Sequence, residues 1–427
     1  MGKYSILEDP RVDEFIDEYL KKVVEALLEN MSGIRSIILA GSFGKGEGSV
    51  LIDRQGVKPL RDFDLFVIFN GKVPPVKFIQ NLQNRLQEKF GSIRVHDKYY
   101  LSNDLVPEIK ATTLEKINSF PDISTYDLKN CEVIYGEDLR SKIKWSLKDL
   151  PLRTNARALF QKAIALIGVF HSEYLNGEIP LRLRDSFLRE TSRAYIEICV
   201  GLCLLANRYD SSSIRRLETL EEIYRKEFFD LYEKVPDLVE KVEASTRYKL
   251  DPSNNVMSVN LLDYWFETRD DLGEVVKYYY NKYLNLSFKN WVQFSTALEK
   301  NLTKKYYLPV IDAFLKNKNL PTNHFILDLS NLLFNVKESI DYSRQAFRDR
   351  HLSIPLFYGL SSPAIKVFST TFLVLFAVNR DRIINSEYVD IVLRKLKFVK
   401  SEKKKNEDLW EEARSKFLQL VFSVNMI

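Results

Sequence analysis

Cysteine, histidine, glycine and proline are scarce in this chain of 427 residues, at 3, 4, 15 and 14. Three cysteines, Cys131, Cys199 and Cys203, form neither a disulfide framework nor a ligand set. Cys199 and Cys203 lie one helical turn apart in an apolar stretch and read as small core residues. His171 and His351 are isolated and match no His/Cys metal spacing. A reducing, cytoplasmic compartment is the simplest expectation. With 45% hydrophobic and 28% charged residues, the composition is that of an ordinary globular protein. No long hydrophobic run is present. The greasiest stretch, 367–378, is broken by Ser369, Thr370 and Thr371. It is shorter than the about 20 apolar residues that cross a bilayer, so it reads as a buried helix and no membrane partner is expected. The first nine residues turn acidic before any apolar core, which excludes a secretory signal from the expectations. A net charge of +5 does not indicate nucleic acid as a partner and leaves it open.

The length predicts two or three domains. Val12, Phe15, Ile16, Leu20, Val23, Val24 and Leu27 repeat at a helical period over 10–30. Residues 34–40 and 63–69 are short apolar strands, the second closed by Asn70-Gly71. The polar stretch 51–60, with Gly56 and Pro59, is a loop or small hairpin, and 76–90 is a helix. Strand-like runs follow at 93–101 and 105–113. After Pro151 strand signals nearly vanish. Amphipathic helices then dominate, at about 155–176, 184–207, 214–234, 258–283, 286–317, 324–350, 363–379 and 406–424. The fold class expected is therefore α+β: a mixed sheet with flanking helices over 1–150, then an all-helical region over 151–427, with a further division near 250. The basic run 394–405 reads as a solvated helix end and loop.

Two motifs carry chemistry. In Arg61-Asp62-Phe63-Asp64-Leu65-Phe66, residues i and i+2 of a strand point the same way. Asp62 and Asp64 thus emerge side by side while Phe63 and Leu65 face the core. Two neighbouring carboxylates repel unless a cation sits between them, and a divalent ion is the natural one. Mg²⁺ in particular takes one or two carboxylates plus phosphate oxygens. About twenty residues upstream, Gly41-Ser42-Phe43-Gly44-Lys45-Gly46-Glu47-Gly48-Ser49 is a glycine-rich turn, expected to lead into a helix. Such a turn supplies backbone N–H groups for phosphate and permits close approach. Together the motifs point to metal-assisted chemistry on a nucleoside triphosphate.

An apolar strand, Gly-Ser, a short helical stretch and then Asp-x-Asp on the next strand resembles the nucleotidyltransferase superfamily related to DNA polymerase beta. The form Gly41-Ser42-Phe43-Gly44-Lys45-Gly46-Glu47-Gly48 looks most like a microbial branch of it. The resemblance covers about 30–140. It implies a Mg²⁺-dependent transfer, using one or two ions, of an NMP group from an NTP such as ATP to the hydroxyl of an unidentified acceptor: a small molecule, a protein or an RNA end. Asp62 and Asp64 would hold the metal, and Gly41, Ser42 and Lys45 would contact the triphosphate. A third carboxylate is implied on a later strand, as metal ligand or proton acceptor. Two residues compete for that role: Glu108, which shares a face with Val106 and Lys110, and Asp104, which opens the same run. The segment ending Val133-Ile134-Tyr135-Gly136 resembles the closing strand of the catalytic domain. Arg182, Arg189 and Arg193 share a helical face, either to meet the triphosphate or to pair with Glu190 and Glu197. The alternative is a non-catalytic nucleotide-binding or toxin–antitoxin-type interaction module that keeps the fold.

Overall fold

A computed structural model describes residues 2–53, 56–90, 107–119, 121–253, 257–305, 327, 329–333, 336–337, 340, 362–396 and 406–423. The chain divides into two compact units, one of Met1–Asn155 with Tyr195–Val259 and one of Ala156–Ala194 with Asn260–Ile427. The expected strand at 93–101, the helix at 324–350 and Asp104, His351 and Lys397–Lys405 lie wholly or largely outside the described residues.

The first unit is built on a four-stranded mixed sheet. Helix α1 (Pro10–Asn30) starts where Asp9 accepts a hydrogen bond from the Arg11 amide and Pro10 presets the first helical φ. Its apolar stripe, Val12, Ile16, Leu20, Val23 and Leu27, is buried. The strands are β1 (Ile34–Leu39), β4 (Phe63–Phe69), β5 (Pro107–Thr113) and β6 (Glu132–Gly136), in the order β5-β4-β1-β6. β1 runs antiparallel to β4 and β6, and β4 runs parallel to β5. A separate hairpin, β2 (Val50–Asp53) with β3 (Gly56–Pro59), fills the stretch read as a loop or hairpin.

Alternation along β4 sends its side chains to two cores. Phe63, Leu65, Val67 and Phe69 join α1 and the buried Ile79, Leu82 and Leu86 of α2 (Val76–Phe90) on one face. Phe66 and Ile68 join Ile38, Ala40, Ile117 of α3 (Leu114–Ile117), Leu128 just past α4 (Ile123–Asp127), Cys131, Leu139 and Ile143 on the other. Burying each large apolar side chain contributes about 1.5–3 kcal/mol, so a strand covered on both faces is fixed in register.

The Tyr195–Val259 part of this unit holds the end of α6 (Arg184–Leu205) and helices α7 (Ser213–Glu227), α8 (Phe229–Tyr232) and α9 (Leu238–Leu250). Cys199 and Cys203 are buried free thiols on α6.

In the second unit, the described residues hold helices and one isolated bridge, Val378 to Ile384. Helix α5 (Leu152–Val169) begins just before it, and α10 (Leu261–Leu284), α11 (Trp291–Lys305), α12 (Pro363–Leu375), α13 (Ser386–Lys395) and α14 (Asn406–Ser423) follow. Its core is aromatic: Phe170 stacks on Trp265 at 4.2 Å and Trp291 on Phe372 at 4.7 Å. The buried Arg414 donates to the carbonyls of Ile167 and Gly168, both at 3.0 Å, and so caps the end of α5. Arg189 and Arg193 pair with Glu190 at 3.2 Å each. The greasy stretch forms α12, buried along its length, and no described helix is long and apolar enough to cross a membrane.

Candidate active site

The Gly-Ser turn is anchored to the Asp-x-Asp strand at three levels. Backbone first: the Ala40 amide, just past β1, donates to the Asp64 carbonyl at 2.7 Å. Aromatic packing second: Phe43 is buried and stacks on Phe63 with centroids 4.5 Å apart. Close approach third: Gly41 has φ +65°, and a Cβ there would lie 2.4 Å from Asp64 Oδ2. Only glycine meets both demands. Gly44 is equally constrained, since a Cβ there would sit 1.8 Å from the Leu39 carbonyl oxygen. The turn continues as a single 3₁₀ turn, Phe43–Lys45, shorter than the helix expected.

Asp62 is exposed and immediately precedes β4, while Asp64 is half-buried within it. Phe63 and Leu65 are fully buried between and after them, as the alternation requires. Glu108 lies directly across from Asp64 in the parallel β4–β5 register, on the same face. The structure thus brings together Gly41, Asp64 and Glu108, with Ser42 next to Gly41 in the turn and Asp62 exposed just before β4. Lys110, two residues beyond Glu108, joins them: its Nζ lies 3.0 Å from Asp64 Oδ1 and 3.4 Å from Glu108 Oε1. Burial pulls the Lys110 ammonium down, but Asp64 and Glu108 outweigh it and raise its pKa above the ordinary lysine value.

Lys45 is engaged within the fold. Its ammonium is largely buried, 3.1 Å from Asp127 Oδ2 and 2.9 Å from the Ser211 carbonyl. Asp127 also accepts from Tyr209 Oη at 2.8 Å.

Glu47, to which the sequence assigns no chemistry, is buried and serves as the anion at the start of α7. Its carboxylate accepts from Ser212 Oγ at 2.6 Å and the Ser213 amide at 2.8 Å. Burial pushes Glu47 up, yet the Lys249 charge and these hydrogen bonds hold it below the usual carboxylate range. Lys249 Nζ donates to Ser213 Oγ at 2.9 Å, and Ser49 Oγ donates to the Lys249 carbonyl. Burial lowers the Lys249 pKa to about 7, with Glu47 opposing and Arg216, Lys45 and Arg61 adding to the fall. The loop after the Gly-Ser turn is therefore held by hydrogen bonds to residues 165 and 200 positions away.

Among the described residues, no three His, Cys, Asp or Glu side chains group closely enough to form a metal site by themselves. The donor chemistry nevertheless fits Mg²⁺. Asp64 offers hard carboxylate oxygens packed against the Gly41 turn, with the exposed Asp62 two residues before it, and Mg²⁺ commonly takes one or two carboxylates with phosphate and water completing its shell. In comparisons with known proteins, no family model matches the sequence and no curated protein matches it.

Proposed function

We propose that this chain is a Mg²⁺-dependent nucleotidyltransferase that moves an NMP group from an NTP such as ATP to the hydroxyl of an acceptor. The observation that carries the reading is the Gly41 backbone seated against the Asp64 carboxylate, with Glu108 in register beside it. Asp62 and Asp64 would hold the Mg²⁺, which when bound neutralises charge on the phosphates. Gly41 and the Ser42 hydroxyl bind and orient the triphosphate. Glu108 takes the proton of the incoming hydroxyl; that oxygen bonds to the α-phosphorus, the bond to the bridging oxygen breaks and pyrophosphate leaves. Asp104, the competing third carboxylate, lies outside the described residues. The acceptor is a small molecule, a protein side chain or an RNA end.

Incubation with each labelled NTP and Mg²⁺ tests this, following pyrophosphate release and label transfer to the protein or to added RNA. Turnover with one NTP, lost on Asp62→Ala with Asp64→Ala, is the expected result. A second reading, a non-catalytic nucleotide-binding module, draws on the pairing of Lys110 with both Asp64 and Glu108. Nucleotide uptake without pyrophosphate release under any acceptor would favour it.

A further inference from the structure

We propose that the Lys110 ammonium is a resident cation of the carboxylate cluster, so that the site holds one divalent ion, on Asp62 and Asp64, and not two. The inference rests on the nucleotidyltransferase reading and specifies its metal requirement. The parallel register sets Asp64 opposite Glu108 and Phe66 opposite Lys110. All four therefore share one face of adjacent strands, about 4.8 Å apart. Like charges placed so closely across strands are destabilising unless compensated. Lys110 Nζ bridges them, 3.0 Å from Asp64 Oδ1 and 3.4 Å from Glu108 Oε1, and stands 5.7 Å from the Phe66 ring centroid.

The ammonium is thus held by two carboxylates and an aromatic face, and a second ion would have to compete with it for Asp64 Oδ1 and Glu108 Oε1. A lysine is a compact point charge and can stabilise an oxyanion developing beside Glu108 without a metal's demand for fixed octahedral geometry. Lys110 is in this sense a positioning residue: it fixes Glu108 and sets how many ions the cluster takes.

Equilibrium dialysis of the full chain against Mn²⁺ and a saturating α,β-methylene ATP analogue gives the test, as ions and analogue retained per chain. The wild type is expected to retain one Mn²⁺ and one analogue, Lys110→Met two Mn²⁺ and one analogue, and Lys110→Arg one of each. Two ions on the wild type, with one analogue, would overturn the inference while leaving the nucleotidyltransferase reading intact. A count of one on a folded Lys110→Met would overturn it as well. Retention of neither ion nor analogue by the wild type would overturn both readings. The wild-type count needs no variant, so poor folding of Lys110→Met cannot shield the idea. As a companion readout, metal-free Lys110→Met is expected to melt below the wild type and to recover with Mn²⁺, a response that loss of packing alone would not give.

Discussion

Gly41 and Gly33 form a matched pair that separates backbone strain from damage to the site. Both hold positive φ, +65° and +79°, and an alanine at either must adopt a left-handed backbone. That costs about 1–2 kcal/mol per residue. Around Gly33 an added Cβ meets nothing within 4 Å, so Gly33→Ala reports the strain alone. At Gly41 the Cβ would sit 2.4 Å from Asp64 Oδ2, and the carboxylate must rotate away from the turn and disturb its 3.0 Å contact with Lys110. That ion pair is partly exposed, at 41% for Lys110 and 29% for Asp64. Its loss adds no more than about 1 kcal/mol. The stability gap between the two variants is therefore small, while a catalytic group displaced by about 1 Å costs roughly a hundredfold in rate. Urea unfolding followed in the first unit should place Gly41→Ala within about 1 kcal/mol of Gly33→Ala. Pyrophosphate release should be near wild type in Gly33→Ala and lower by about two orders of magnitude in Gly41→Ala. Equal turnover in the two variants would refute the idea that the Gly41–Asp64 approach serves the chemistry.

Further outcomes follow from the buried charges. Glu47→Gln removes the anion at the start of α7 and leaves Lys249 without its carboxylate, and should cost about 3–5 kcal/mol in denaturant unfolding; a loss below about 1 kcal/mol would show the cap to be dispensable. Lys249 has its pKa depressed to about 7 from 10.5, so between those values the unfolded chain binds more protons than the folded one. The Lys249 contribution to stability should accordingly rise with pH across that window, and the difference in unfolding midpoint between wild type and Lys249→Met should grow from pH 7 to 9. A pH-independent difference would contradict the assignment. Lys45→Met removes the cation from Asp127, leaving it the Tyr209 hydroxyl, and should lower stability by about 1–3 kcal/mol, read by the same unfolding curves.

Much of the first unit was legible because its signals are local. The helical period of Val12, Ile16, Leu20 and Leu27 gave α1, and 76–90 gave α2 over the same residues. The unbroken apolar run 65–69 reflects β4 being covered on both faces by two separate cores. Where a helix was expected after Gly41, only one 3₁₀ turn forms, because Gly44, Gly46 and Gly48 deplete helix propensity. Helix α9 was missed because polar Ser245 and Thr246 occupy buried positions and blur its apolar stripe. Helix α13 was missed because it is ten residues long and buries only Val389, Val392 and Leu393. Grouping of 195–259 with the sheet had no local signature, since it rests on contacts such as Glu47 to Ser212. The i, i+2 spacing of Asp62 and Asp64 and the place of Glu108 in a strand were legible locally, but that Asp64 and Glu108 sit opposite each other was not. The bridging role of Lys110 depends on the β4–β5 register, which spacing within one strand does not disclose.

Calorimetric titration of a non-hydrolysable ATP analogue and its G, C and U counterparts, with and without Mg²⁺, addresses the central proposal most directly. At least one should bind the wild type only with Mg²⁺ present, and that uptake should vanish in Asp62→Ala with Asp64→Ala while the thermal melt stays nearly unchanged. Failure of all four to bind, or binding indifferent to both the metal and the acid pair, would contradict it.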